Sequence, residues 1–195
     1  MSEEFKDTFP KLTELILKSR QTYLKIDHIN YTLFAWETID GQICGWLNKY
    51  ETKEEYKCEL IQEHEILLRN IGGIRESFNA PENSFTNNQN FMFIGSECSK
   101  GIGDWADYYS MTCEEEGKNK IDHTNLVAFV QEANGAIALY DPLTKEVFLF
   151  SQDHSFENIE FMKNQPEFTF HTFKNVTTFE NYVETLAQEW EKRIK

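Results

Sequence analysis

Catalytic or metal chemistry in this chain would have to be built from five histidines, four cysteines and a surplus of carboxylates. His64-Glu65 begins like the zinc-clasping H-E-x-x-H motif, in which two imidazoles one helical turn apart hold the ion. Leu68 stands where the second histidine must be, so that motif fails. Asp122-His123 and Asp153-His154 are acid–imidazole pairs. The second pair, together with His171, could build a non-standard hydrolytic site, and exposed loops are the simpler expectation for both pairs. Cys44, Cys58, Cys98 and Cys113 contain no C-x-x-C spacing and carry no local nucleophile signature; four free, mostly core-filling thiols in a reducing compartment are expected. Gly101-Ile102-Gly103 lacks the third glycine and the following helical stripe of a dinucleotide fingerprint. G-x-x-x-x-G-K-S/T and G-x-S-x-G do not occur. The expectation is a chain with no catalytic residues, no metal and no cofactor.

The residues that remain suit binding. Asp104-Trp105-Ala106-Asp107-Tyr108-Tyr109 interleaves acids with aromatics, and Glu114-Glu115-Glu116 follows closely. Trp and Tyr are favoured interface anchors, and flanking carboxylates complement an Arg- or Lys-rich partner. Asp104, Trp105, Asp107, Tyr108, Glu114, Glu115 and Glu116 are therefore the candidate partner-binding residues. Bulk charge points the same way. With 33 Asp+Glu against 19 Lys+Arg the net charge is −14. Such a chain lacks the basic face that nucleic acid requires, and anionic membranes repel it, whereas a basic protein is steered toward it. The first residues are charged, with no apolar leader, and no apolar run spans a bilayer, so a cytoplasmic protein is expected.

Several elements must position these residues. A first helix is expected over 9–18, capped by Thr8 with Pro10 in its first turn. Strands at 31–38 and 42–47 flank an Asp40-Gly41 turn. A second helix starts at the Thr52–Glu55 capping box and stops at Gly72-Gly73. The polar stretch 79–90 is a loop, 91–94 a short buried strand and 95–103 a loop. The aromatics over 105–111 predict a strand, followed by a charged turn at 114–120. Strands at 126–132, 136–140 and 146–150 form a meander around a type I′ Asn134-Gly135 turn and a second turn at 141–145. Val147 and Leu149 should face one side, Phe148 and Phe150 the other. Residues 168–173 add a strand. A last helix begins at a Thr177–Glu180 capping box and carries Phe179, Tyr182, Val183, Leu186, Ala187, Trp190 and Ile194 as one stripe. Runs of strands flanked by helices indicate an α+β fold, with residues 1–195 as a single domain.

Four features resemble the SUKH superfamily of Smi/Knr-like domains. They are the Leu/Ile-rich helix closing on Gly72-Gly73, the region 91–109 with Gly95 and Trp105, the hairpin leading through Tyr140-Asp141-Pro142 to the strand ending at Phe150, and the final helix opening Thr178-Phe179-Glu180. The resemblance covers roughly residues 50–190, without the Leu-Pro pair that many members carry before the double glycine. Residues 1–50 then stand as an N-terminal extension or altered start of the core. The resemblance implies a twisted, mostly antiparallel sheet with helices packed around it and a non-enzymatic function. Bacterial members typically serve as immunity proteins against secreted or contact-dependent toxins, often nucleases. Eukaryotic relatives act as regulatory hubs, which is the alternative; a hydrolase around Asp153-His154 and His171 is the third.

Overall fold

The computed structural model describes residues 1–81, 89–152 and 158–195. Helix α1 (Glu3–Thr8) is capped by the Ser2 hydroxyl, which accepts the Phe5 N–H. Helix α2 (Pro10–Leu17) begins with proline in its first turn, as expected, but Thr8 does not cap it. The Thr8 hydroxyl donates instead to the Glu4 carbonyl. The free amides of Lys11 and Leu12 donate to the two carboxylate oxygens of Glu184, at 2.9 and 3.1 Å, from the far end of the chain. Strands β1 (Arg20–Ile26), β2 (Ile29–Glu37) and β3 (Ile43–Lys49) follow as antiparallel hairpins. The capping box at Thr52 forms, yet it caps only a 3-10 turn, Lys53–Glu55. The chain then runs extended at Tyr56, and α3 (Gln62–Ile71) starts only after Ile61, so the single helix predicted from Thr52 is two elements. Gly72 ends α3 with φ +73, where a Cβ would meet the Lys49 carbonyl at 2.4 Å; glycine is required twice over.

Strands β4 (Gly73–Phe78), β5 (Gln89–Met92) and the two-residue β6 (Ser99–Lys100) come next. The strand predicted over 105–111 is incorrect. Those residues form a 3-10 turn, Gly103–Trp105, that runs into α4 (Ala106–Glu115). Tyr109 and Cys113, one turn apart, are buried by it, and this packing outweighs the β preference of Trp and Tyr. The predicted meander is present as β7 (Val127–Glu132), β8 (Ile137–Tyr140) and β9 (Val147–Phe150). Its first turn is not a two-residue type I′. Glu132 and Ala136 pair, Gly135 donates to the Glu132 carbonyl, and Gly135 sits at φ +90, which makes a three-residue loop. After β10 (Ile159–Phe161) and β11 (Phe170–Phe173), α5 (Phe179–Glu191) closes the chain. Its cap is Thr178, one residue later than predicted, accepting from Asn181 N–H.

Every strand pairing among the described residues is antiparallel, and the strand order is β1-β2-β3-β4-β5-β7-β8-β9-β11-β10 with β6 beside β7. Along that path, leaving β6 aside, the sheet has two halves, of four and six strands. They meet where β4 and β5 share the Ile74↔Met92 pair. The fold is α+β. One face of the sheet packs against α1, α2, α3 and α5 in a cluster that includes Phe5, Phe9, Trp36, Trp46, Phe129 and Trp190. Residues before position 50 thus supply the same core as α5; Trp36, Trp46 and Trp190 meet mutually in edge-on and tilted contacts with ring centroids 5.0–5.7 Å apart. A second cluster, with Tyr109, Cys113, Leu139, Phe150 and Phe170, lies beneath α4 on the opposite face. Val147 and Leu149 face the first cluster and Phe148 and Phe150 the second, as the alternation predicted. Among the described residues no helix is long and apolar enough to cross a membrane.

Candidate functional site

The acidic–aromatic segment lies on α4 and the turn before it. With 3.6 residues per turn, Asp104, Asp107, Met111, Glu114 and Glu115 share one side of this segment, opposite the buried Tyr109 and Cys113. All five are exposed, as is Glu116 at the helix end. Tyr109 fixes the helix. Its hydroxyl donates to Gln165 Oε1 at 2.6 Å and accepts the Ile121 N–H at 2.9 Å, while burial pushes its pKa up to about 12. Trp105 is half-buried. Its indole N–H donates to the Gly135 carbonyl at 3.1 Å, and a Cβ on Gly135 would sit 3.0 Å from the ring. The hairpin glycine is therefore also the seat of the tryptophan. Tyr108 stands beside it, ring centroids 6.0 Å apart.

The structure thus joins Asp104, Asp107, Glu114 and Glu115 on one exposed side with Glu116 at its end, whereas Trp105 and Tyr108 are half-buried and pack against the second cluster. Glu114 and Glu115 belong to the helix itself rather than to a separate turn. Glu114 pairs with Lys120 at 2.7 Å, and this ammonium holds its carboxyl below the usual range. Asp104, Asp107, Glu115 and Glu116 form no ion pair among the described residues. Beside Trp105 lies a cleft of about 210 Å³ lined by Glu97, Ser99, Asp104, Gln131 and Ile137 among others. It is smaller than the ~300–1,000 Å³ of typical small-molecule sites. Glu97 already meets Arg75 at its rim, 3.4 Å away.

The residues weighed for catalysis are placed differently. His64 is buried among Phe93, Phe129, Tyr140 and Phe179. Its Nε2–H donates to the Phe93 carbonyl at 2.7 Å, Nδ1 faces the Tyr140 hydroxyl at 3.3 Å, and burial pushes its pKa down to about 4. This imidazole is neutral and structural. His171 is buried in β11, its Nδ1 on the Thr169 carbonyl at 3.0 Å. Asp153 and His154 lie outside the described residues. The cysteines are free, three of them buried, and burial raises the thiols of Cys44, Cys58 and Cys98. That is the reverse of what an activated nucleophile needs.

One polar cluster had no signal in the sequence. Lys49 lies 2.7 Å from the Glu51 carboxylate and donates to Ser96 Oγ at 3.1 Å. Ser96 gives both its hydroxyl and its backbone N–H to the same carboxylate. The Glu51 side chain is fully buried. Lys49 and Ser96 sit 47 positions apart and meet only because β3 ends beside the loop after Ile94. The carboxylate's acceptors are taken up within the protein, so the cluster anchors that loop to β3. No known protein family, curated protein or solved structure matches this chain.

Proposed function

We propose that this chain is a non-enzymatic protein-binding domain that engages a basic partner through the exposed side of α4. The SUKH-like pattern makes a cytoplasmic immunity protein, neutralising a secreted or contact-dependent toxin such as a nuclease, the leading form of that reading. The observation that carries it is the row of carboxylates Asp104, Asp107, Glu115 and Glu116, which form no ion pair among the described residues, on a chain of net charge −14. Trp105 and Tyr108 at the foot of the helix supply rigid aromatic area for an anchor contact. The carboxylates steer a cationic surface and the aromatics hold it. A regulatory hub binding a cellular partner is the alternative.

Co-expression with neighbouring genes, followed by pull-down and mass spectrometry, tests the reading. A salt-sensitive complex with a basic toxin domain is expected. Asp104→Lys with Asp107→Lys should slow association with that partner about tenfold or more and flatten its salt dependence, with the fold unchanged. Unchanged association kinetics would remove α4 from the interface. Capture of ordinary cellular proteins with no toxin among them would favour the hub.

A further inference from the structure

The outer strand of the four-strand half is β1, and all seven of its residues are exposed. Asp27 and His28, at φ +47 and +71, form the two-residue loop that joins it to β2 and closes on the Ile26↔Ile29 pair. In such a hairpin the closing pair exchanges both of its N–H···O bonds. Alternation then gives the same bonds to Leu24↔Tyr31, Thr22↔Leu33 and Arg20↔Ala35. The N–H and C=O groups of Gln21, Tyr23 and Lys25 consequently point away from β2. The far side of β2 agrees with this phase, since the Asn30 carbonyl accepts the Tyr50 N–H there. Among the described residues no strand pairs with the outer edge of β1.

Natural sheets blunt their edges by shortness, bulges, proline or charged side chains, and of these β1 carries only the last, in Arg20 and Lys25. At the other end of this sheet β10 has only three residues. In contrast, β1 has seven in unbroken register, without proline, and exposes 76% of Tyr23 and 48% of Ile26. Its charges are Arg20 and Lys25, with no carboxylate in the strand. Neither cation forms an ion pair among the described residues, although the chain as a whole is at −14.

We propose that β1 is a docking edge for an extended acidic segment of a partner protein, which adds antiparallel as a further strand. Main-chain bonds to Gln21, Tyr23 and Lys25 supply affinity, and alternate side chains supply specificity. Carboxylates on the incoming strand fall opposite Lys25 and Arg20, and apolar residues opposite Leu24 and Ile26. A second copy of this chain fits less well, because its β1 offers no carboxylate to Lys25 or Arg20. The inference is independent of the α4 reading, which concerns a basic partner on the other half of the sheet.

The probe is a blocked peptide written to lie antiparallel to β1, in the order valine, glutamate, valine, tyrosine, threonine, glutamine, glutamate from opposite Ile26 to opposite Arg20. Residue-resolved amide exchange on the full chain is the readout. At millimolar peptide the amides of Gln21, Tyr23 and Lys25 should slow about tenfold or more, while those of Thr22 and Leu24, already bonded to β2, change little. Tyr23→Pro should abolish the effect with the fold intact, because it removes only an outward N–H. Lys25→Glu with Arg20→Glu should transfer the preference to a peptide carrying lysine in place of glutamate. Three outcomes would overturn the proposal: no protection, equal protection by the lysine peptide on the unaltered chain, or protection that rises with protein concentration without peptide.

Discussion

The two halves of the sheet are covered differently. In the six-strand half, β7, β8, β9 and β11 are almost wholly buried, since α4 covers one face and α5 with α3 the other. In the four-strand half, burial alternates along β2: Thr32, Phe34 and Trp36 are buried, while Leu33 and Ala35 are half-exposed. Ile43 and Phe78, in β3 and β4, are exposed. A sheet covered on both faces concentrates stability, whereas one covered on a single face leaves apolar surface and an edge for other molecules. The comparison sets the strands covered on both faces and the proposed strand docking in different halves.

Variants can break or sharpen that contrast. The largest effect is expected in the doubly covered half. Phe129→Ala, at a residue stacked on Phe93 and in tilted or edge-on contact with Tyr140, Phe179 and Tyr182, should cost about 3–5 kcal/mol in denaturant unfolding. A loss below about 1 kcal/mol would mean that this half is not the core of stability.

Acid should act on the same half through His64. Its folded pKa of about 4 lies below the unfolded value near 6.5, so between those values only the unfolded chain takes up the proton. Stability is fully present above pH ~6.5 and falls toward pH ~4, by an amount on the order of 3 kcal/mol. His64→Gln should flatten that pH dependence whatever its own stability. An unchanged slope would assign the acid sensitivity to other groups.

A smaller effect is expected where α5 caps α2 over the singly covered half. Glu184→Ala should cost about 1–2 kcal/mol and speed amide exchange at Lys11 and Leu12. If those two amides keep their protection, the cap is not operating in solution. The smallest effect belongs to the open edge, where Tyr23→Ala should move stability by no more than about 0.5 kcal/mol. A larger loss would show that β1 is packed rather than free.

The elements legible in the sequence are those whose signal is local. The α5 stripe, the alternation of Val147 and Leu149 against Phe148 and Phe150, and the stop at Gly72 all rest on a period or a backbone angle. Asp40-Gly41 was legible as a hairpin, though its loop has three residues like the one at Gly135. The elements that were not legible depend on distant partners. Aromatic content at 105–111 suggests a strand because propensity does not register that Tyr109 and Cys113 bury one helical turn apart. The Asp27-His28 turn carries no glycine to announce its positive φ angles, and β1 has no buried residue to give it a hydrophobic period.

The sequence by itself determined the acidic character, the residues of the α4 surface and the α+β class, because composition and short-range periodicity are properties of the chain alone. Only the tertiary structure decided that those residues share a helix, that Glu184 caps α2, that Lys49, Glu51 and Ser96 meet, and that β1 is left at an open edge. Each of these turns on which segments come together across tens to hundreds of positions. That is set by how the sheet buries its apolar faces, and no local pattern encodes it.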